Sequence, residues 1–82
     1  MLAKKIFQSR GFDFQRDFTE SVYRKVMDGE AVKFEDKSGN GNPVWASLKS
    51  KGILIQTWNA NIGIHITDAQ RGYNHIMELA RV

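Results

Sequence analysis

Between residues 37 and 67 the only formal charges are Lys37, Lys49 and Lys51, and the segment is otherwise rich in Asn, Ser, Thr and Gln. Twelve basic residues less these three leave nine, which match the nine acidic residues, so the net charge of +3 resides here. An acid-free run with spaced lysines suits contact with a polyanion, because each ammonium can neutralise a phosphate. A polar loop that lacks acids by chance has the same composition. Asn42 precedes Pro43, an N-cap followed by the proline that fits the first helical position. The spacing then predicts a helix over 43–51, with Val44 and Leu48 at i,i+4, Trp45 beside them and Gly52 as its stop. Such a helix turns Val44, Trp45 and Leu48 inward and presents Asn42, Ser47, Lys49, Ser50 and Lys51. Asn pairs with adenine edges, and Lys reaches phosphate or guanine. A solvated amphipathic helix is the plainer account of the same residues.

A short hairpin follows, at about 56–62, offering Gln56, Trp58, Asn59 and Asn61 but no Arg or Lys. Its contacts to a phosphate would be uncharged hydrogen bonds, and Trp58 is suited to stack on a base or to anchor a protein interface. Packing on the strand surface is the alternative for Trp58. The run SGNGNP at 38–43 has the glycines of a phosphate loop without its Gly-Lys-Ser/Thr ending, which favours a flexible loop. Backbone amides beside a helix N-terminus would still suit an anion.

Other chemistry is poorly provided for. With no cysteine there is no thiolate metal site, disulfide or cysteine nucleophile. His65 and His75 belong to different elements and lack ligand spacing. Asp17 and Glu20 read as helix-capping residues, with Asp13 nearby, and no nucleophile and base stand together. The expectation is a protein without catalytic residues, metal or cofactor, and not an enzyme.

Several elements must position these residues. A short helix is expected at 2–9, with Leu2 and Ile6 on one row, Ala3 and Phe7 on the next, and Gly11 as stop. Phe12 and Phe14 alternate with Asp13 as an extended link. A second helix is expected at about 18–28, capped by Asp17 and ended by Gly29, with Phe18, Val22 and Val26 at i,i+4. Val32 and Phe34 mark a strand at 31–34. Residues 53–58 and the alternating Ile62, Ile64 and Ile66 mark two more, joined at Asn59-Ala60-Asn61. A last helix is expected from Thr67, with Gln70 completing its cap and Tyr73, Ile76, Met77 and Ala80 on one broad face.

The order of a helix ending in LKSKGILIQ, a short hairpin and then IHITDAQRGYNHIMEL resembles the second half of a winged-helix DNA-binding domain. Leu48, Gly52, Ile53, Ile66 and Thr67 hold the places of its step into the wing and of its closing helix. The resemblance spans about residues 43–80. The helix at 18–28 and the strand at 31–34 could take the first two places of the pattern, and either its middle helix is reduced to a turn within 35–42 or the earlier helices are arranged differently. It implies an α+β, winged-helix-like domain, with a small three-stranded antiparallel sheet and three to four helices. It further implies a small DNA-binding protein, a transcriptional or accessory regulator of a bacterium, phage or plasmid. The recognition helix would be 43–51 and the wing 56–62. Double-stranded DNA would be held by Lys37, Asn42, Ser47, Lys49, Ser50, Lys51, Trp58, Asn59 and Asn61.

Eighty-two residues accommodate one domain with one modest core, at 1–82. The longest aliphatic run is Ile53-Leu54-Ile55, far short of the ~20 residues of a membrane span. Lys4 and Lys5 are not followed by the apolar stretch of a signal peptide, so a cytoplasmic protein is expected. A homodimer is expected through Leu2, Ile6 and Phe7 together with Tyr73, Ile76, Met77 and Ala80. The alternative function is a protein-interaction module, an adaptor or inhibitor, on the same scaffold without DNA binding.

Overall fold

The computed structural model describes residues 2–39, 41–50, 52–65 and 72–81. Helix α1 (Leu2–Ser9), the single turn α2 (Phe14–Asp17) and α3 (Glu20–Met27) precede four strands. These are β1 (Val32–Phe34), β2 (Val44–Lys49), β3 (Gly52–Thr57) and β4 (Ala60–His65), and α4 (Gly72–Ala80) follows them. The strands form one antiparallel sheet in the order β1-β2-β3-β4. The class is therefore α+β, with four strands where three were expected.

Two of the three expected glycine stops operate through the same device. Gly11 (φ 84°) and Gly29 (φ 97°) adopt the left-handed conformation. Phe12 N–H donates to the Phe7 carbonyl and Gly11 N–H to that of Gln8, while Glu30 and Gly29 donate likewise to Lys25 and Val26. These are the paired bonds of a Schellman cap, which need a residue free of a Cβ penalty at that place. A Cβ at Gly11 would also lie 2.9 Å from the Lys37 Cβ.

The start of α3 differs from expectation. Thr19, not Asp17, is its N-cap and accepts from Val22 N–H. Asp17 instead closes α2, where its carboxylate accepts from Asp13 N–H and pairs with Arg16 at 2.8 Å. Of the expected extended link Phe12–Phe14, Asp13 is extended and caps α2, while Phe14 already begins that helix.

The largest correction concerns residues 43–51. The described part, through Ser50, forms β2 and a turn residue, not a helix. Ala46 is fully buried between β1 and β3, opposite Val32 and Ile55, and Val44 is buried beside it. The intervening Trp45 is 38% exposed. Val44 and Ala46 can share an interior face only with a period of two. Val44 and Trp45 also favour a pleated, half-buried surface, and β3 offers β-branched partners across it. The expected strand at 53–58 is β3, and its hairpin connection is Trp58-Asn59, one residue earlier than expected. The Thr67–Gln70 cap and Ile66 lie outside the described residues.

Helices cover one face of the sheet. Phe34, Val44, Ala46, Ile53, Ile55 and Ile64 meet Ala3, Phe7, Phe14, Phe18, Val26 and Ile76 in a single core. All five phenylalanines converge there. Phe7 is central, with ring centroids of Phe14 at 5.0 Å and Phe34 at 4.8 Å. Of the residues expected at a dimer contact, Ile6, Phe7, Ile76 and Ala80 are buried inside the monomer, Tyr73 and Met77 are partly buried, and Leu2 is exposed. No helix among the described residues is long and apolar enough to cross a membrane.

Candidate functional site

The alternation that buries Val44, Ala46, Ile53 and Ile55 turns their neighbours to the opposite face. Lys33, Trp45, Gln56 and Asn61 lie in one cross-strand row, and Ser47, Leu54 and Gly63 in the next. Lys49 stands at the far end of β2, about 13 Å from Trp45 at ~3.3 Å per residue. Among the described residues of β2, β3 and β4 this face carries no acid. Its charge is modulated at one rim, where Lys33 Nζ sits 3.0 Å from Glu35 and 5.7 Å from the Trp45 ring centroid.

Trp45 and Trp58 flank an open groove of about 380 Å³, completed by Asn42, Pro43, Gln56 and Thr57. Trp58 is 82% exposed, because it occupies a two-residue connection with no element above it. Arg10 secures the groove's base from the far side of the sheet. Its Nε donates to the Asn42 carbonyl at 2.9 Å, and its terminal nitrogens reach Ser9 Oγ and Thr57 Oγ1. Thr57 Oγ1 in turn donates to the Pro43 carbonyl at 3.0 Å. The start of β2 and the end of β3 are thereby tied to the end of α1.

The expected contact residues divide into three groups. Asn42, Trp58 and Asn61 border the groove or its row, with Asn59 in the turn beside them. Ser47, Lys49 and Ser50 belong to the other half of the same hairpin system, on β2 and its turn. Lys37 stands apart on the helical side, where its Nζ lies 4.6 Å over the Phe12 ring and its N–H donates to the Arg10 carbonyl. Lys51 lies outside the described residues. Gln56, offered with the hairpin, lines the groove, whereas Trp45, Lys33 and Arg10 are not among the expected contacts. Period-two reading of VWASLK would have turned Trp45 outward, whereas Arg10 gave no sequence signal, its partners being 32 and 47 residues away.

The glycine-rich loop is no anion cradle. The Asp36 carboxylate already fills it, accepting from Ser38 N–H at 2.9 Å and from Gly41 N–H, and lying 2.6 Å from Ser38 Oγ. The segment continues into a strand, so no helix N-terminus supports an anion either. The Ser38 hydroxyl and backbone bonds hold the Asp36 carboxyl down to about 2, with further help from Gly41 N–H and Arg10. A depressed carboxyl stabilises the fold above its unfolded value of 3.8, and that contribution is lost as pH falls through about 2. Asp36→Ala is therefore expected to speed amide exchange at Ser38 and Gly41 at neutral pH. It should also flatten the acid limb of the stability curve between about pH 4 and pH 2. An unchanged acid limb would remove Asp36 from this role.

Among the described residues no group of three or more His, Cys, Asp or Glu is placed to hold a metal ion. No known protein family, curated protein or solved structure matches the chain.

Proposed function

We propose that the protein binds nucleic acid through the open face of its sheet, with unpaired DNA as the preferred form. The observation that carries this reading is the pair of exposed tryptophans, Trp45 and Trp58, on either side of a groove edged by Asn42 and Gln56, with Asn61 paired to Gln56 in the same cross-strand row. Aromatic rings on a sheet stack on bases, and amide side chains bond their edges. Lys33 and Lys49 at the margins suit the phosphates. Bases inside a duplex present no free ring face, which favours single strands over intact duplex. Of the winged-helix reading, the β3–β4 hairpin remains as the counterpart of a wing, and the contact expected of a recognition helix passes to β2. A regulatory role in transcription would rest on this same binding.

Titration with a single strand and with a duplex of the same sequence, at two salt concentrations, tests the reading. The expected result is quenching of tryptophan fluorescence by the single strand, with affinity falling as salt rises. Absence of binding to both forms at low salt would overturn it. Lys49→Gln should weaken binding to all sequences alike and lower the slope of log K against log salt by about 0.7. Lys49 is exposed at the end of β2, so the variant should melt with the parent.

A second reading, a protein-interaction module, is favoured by an apolar hollow at the other end of the strands. It measures about 230 Å³ and is lined by Lys49, Ile53, Leu54, Gly63 and Ile64, among others. Such a module would leave both nucleic acids unbound.

A further inference from the structure

The two edges of the sheet are unlike. At one edge β1 has three residues, and Lys33 and Glu35 place an ion pair beside it. Short length and charge are the usual means of keeping an edge from pairing with another chain. At the other edge β4 runs for six residues, paired without a bulge to β3 from Gly52↔His65 to Thr57↔Ala60. Ala60–His65 contains no proline, lysine, arginine or carboxylate.

The two-residue turn closes on the pair Thr57–Ala60, so pairs that exchange hydrogen bonds alternate from there. Ala60, Ile62 and Ile64 direct their backbone groups to β3. Asn61, Gly63 and His65 direct theirs away from the sheet. Among the described residues, none of these outward groups has a hydrogen-bond partner.

We infer that β4 is a dimerisation edge, which pairs antiparallel with β4 of a second copy of this chain. The occupant follows from the symmetry of the segment. Asn61-Ile62-Gly63-Ile64-His65 reads alike in both directions about Gly63 for the aliphatic positions. A two-fold axis through Gly63 sets Gly63 opposite Gly63, Ile62 opposite Ile64, and Asn61 opposite position 65. The outward groups of Gly63 then bond each other, as do those of Asn61 and position 65. Ile62 and Ile64 fall on the non-bonded pairs, where side chains approach most closely. Because the axis stands perpendicular to the sheet, both helical layers lie on one side. The two open faces join into a single surface with a Trp45–Trp58 groove in each half. An isologous contact of this kind closes at two copies.

The inference is independent of nucleic-acid binding and is tested on the free protein. Sedimentation is expected to show the mass rising from 9.4 kDa towards twice that value with concentration. A Cβ at Gly63 meets nothing within 4 Å, so the site accepts substitution without disturbing the monomer. Gly63→Glu sets two carboxylates across the axis, and Gly63→Pro removes the outward N–H. Both should sediment as monomers with unchanged circular dichroism, while Gly63→Ala should stay dimeric. Should the proline variant fail to fold, the glutamate variant decides. Amide exchange gives a second readout, since Gly63 N–H should become protected as concentration rises. A parent that remains at 9.4 kDa at high concentration, or a dimer indifferent to Gly63→Glu, overturns the inference.

Discussion

Replacement of Phe7 by Ala is expected to lower stability by about 3–5 kcal/mol and to leave the protein close to its unfolding threshold. Phe7 has no exposed surface. Its ring meets those of Phe12, Phe14, Phe18 and Phe34, which come from the α1–α2 link, α2, the link into α3, and β1. Removing it opens one cavity against several elements at once, and none of them can close it alone. A domain of this size has about 0.05–0.15 kcal/mol of stability per residue, so the loss removes a large share of it. Each kcal/mol moves the melting temperature by roughly 4–8 °C at this length, which puts the expected drop above about 12 °C. Phe7→Leu, which keeps more of the volume, should fall between variant and parent. Thermal and urea melts followed by circular dichroism give both values. A Phe7→Ala protein that melts within a few degrees of the parent would mean that the aromatic cluster is not the centre of the fold.

That cluster shows which kind of structure local sequence reveals. The ends of α1 and α3 were legible because a glycine at the left-handed position leaves a fixed mark after a run of helix formers. The strand at β4 was legible because Ile62 and Ile64 alternate with Asn61 and Gly63. The stretch Val44–Lys49 was not. Val44 and Leu48 are four apart, and four residues bring a side chain back to the same face in a helix and in a strand alike. Asn42-Pro43 then tipped the reading towards a helix, although proline also suits the residue before a strand begins. The discriminating position is Ala46, which a helix would place away from Val44 and which is fully buried beside it. A small residue carries too little hydrophobic weight to announce its face.

The candidate site was legible in the same uneven way. Asn42, Trp58 and Asn61 were named from polarity and from the hairpin, and they border the groove or its row of the sheet. Lys37 was grouped with Lys49 because both stand in an acid-free run. Chain position does not carry over to surface position, however, and Lys37 packs on Phe12, 25 residues earlier. A helical period turns Trp45 to the interior together with Val44 and Leu48, whereas the strand turns it outward. Arg10 could not be found from its neighbours in sequence, because its hydrogen bonds to Asn42 and Thr57 exist only once α1 has docked on the strands. Long-range polar contacts of this kind leave no periodic trace.

The sharpest consequence for function concerns the two tryptophans. Trp58→Ala is expected to weaken single-strand binding by about 1–3 kcal/mol, or roughly 5- to 150-fold, the usual cost of one lost base stack. Its side chain is 82% exposed in a turn, so stability should move by less than about 0.5 kcal/mol, and binding and folding separate cleanly. Trp45→Ala should weaken binding by a similar factor but also cost stability. Its ring crosses to Gln56 and lies under Lys33, contacts worth about 0.2–1 kcal/mol for a cross-strand pair and ~0.5–1 kcal/mol for an exposed cation–π contact. The double variant then reports the geometry of recognition. If each ring stacks on its own base, the two losses add; if one base is held between the rings, the double variant loses less than the sum. Duplex binding, where the rings meet no free base, should change little in any of the three. Single-strand affinities equal to the parent's in both single variants would remove the tryptophans from the site and leave the open sheet face without its principal claim to nucleic acid.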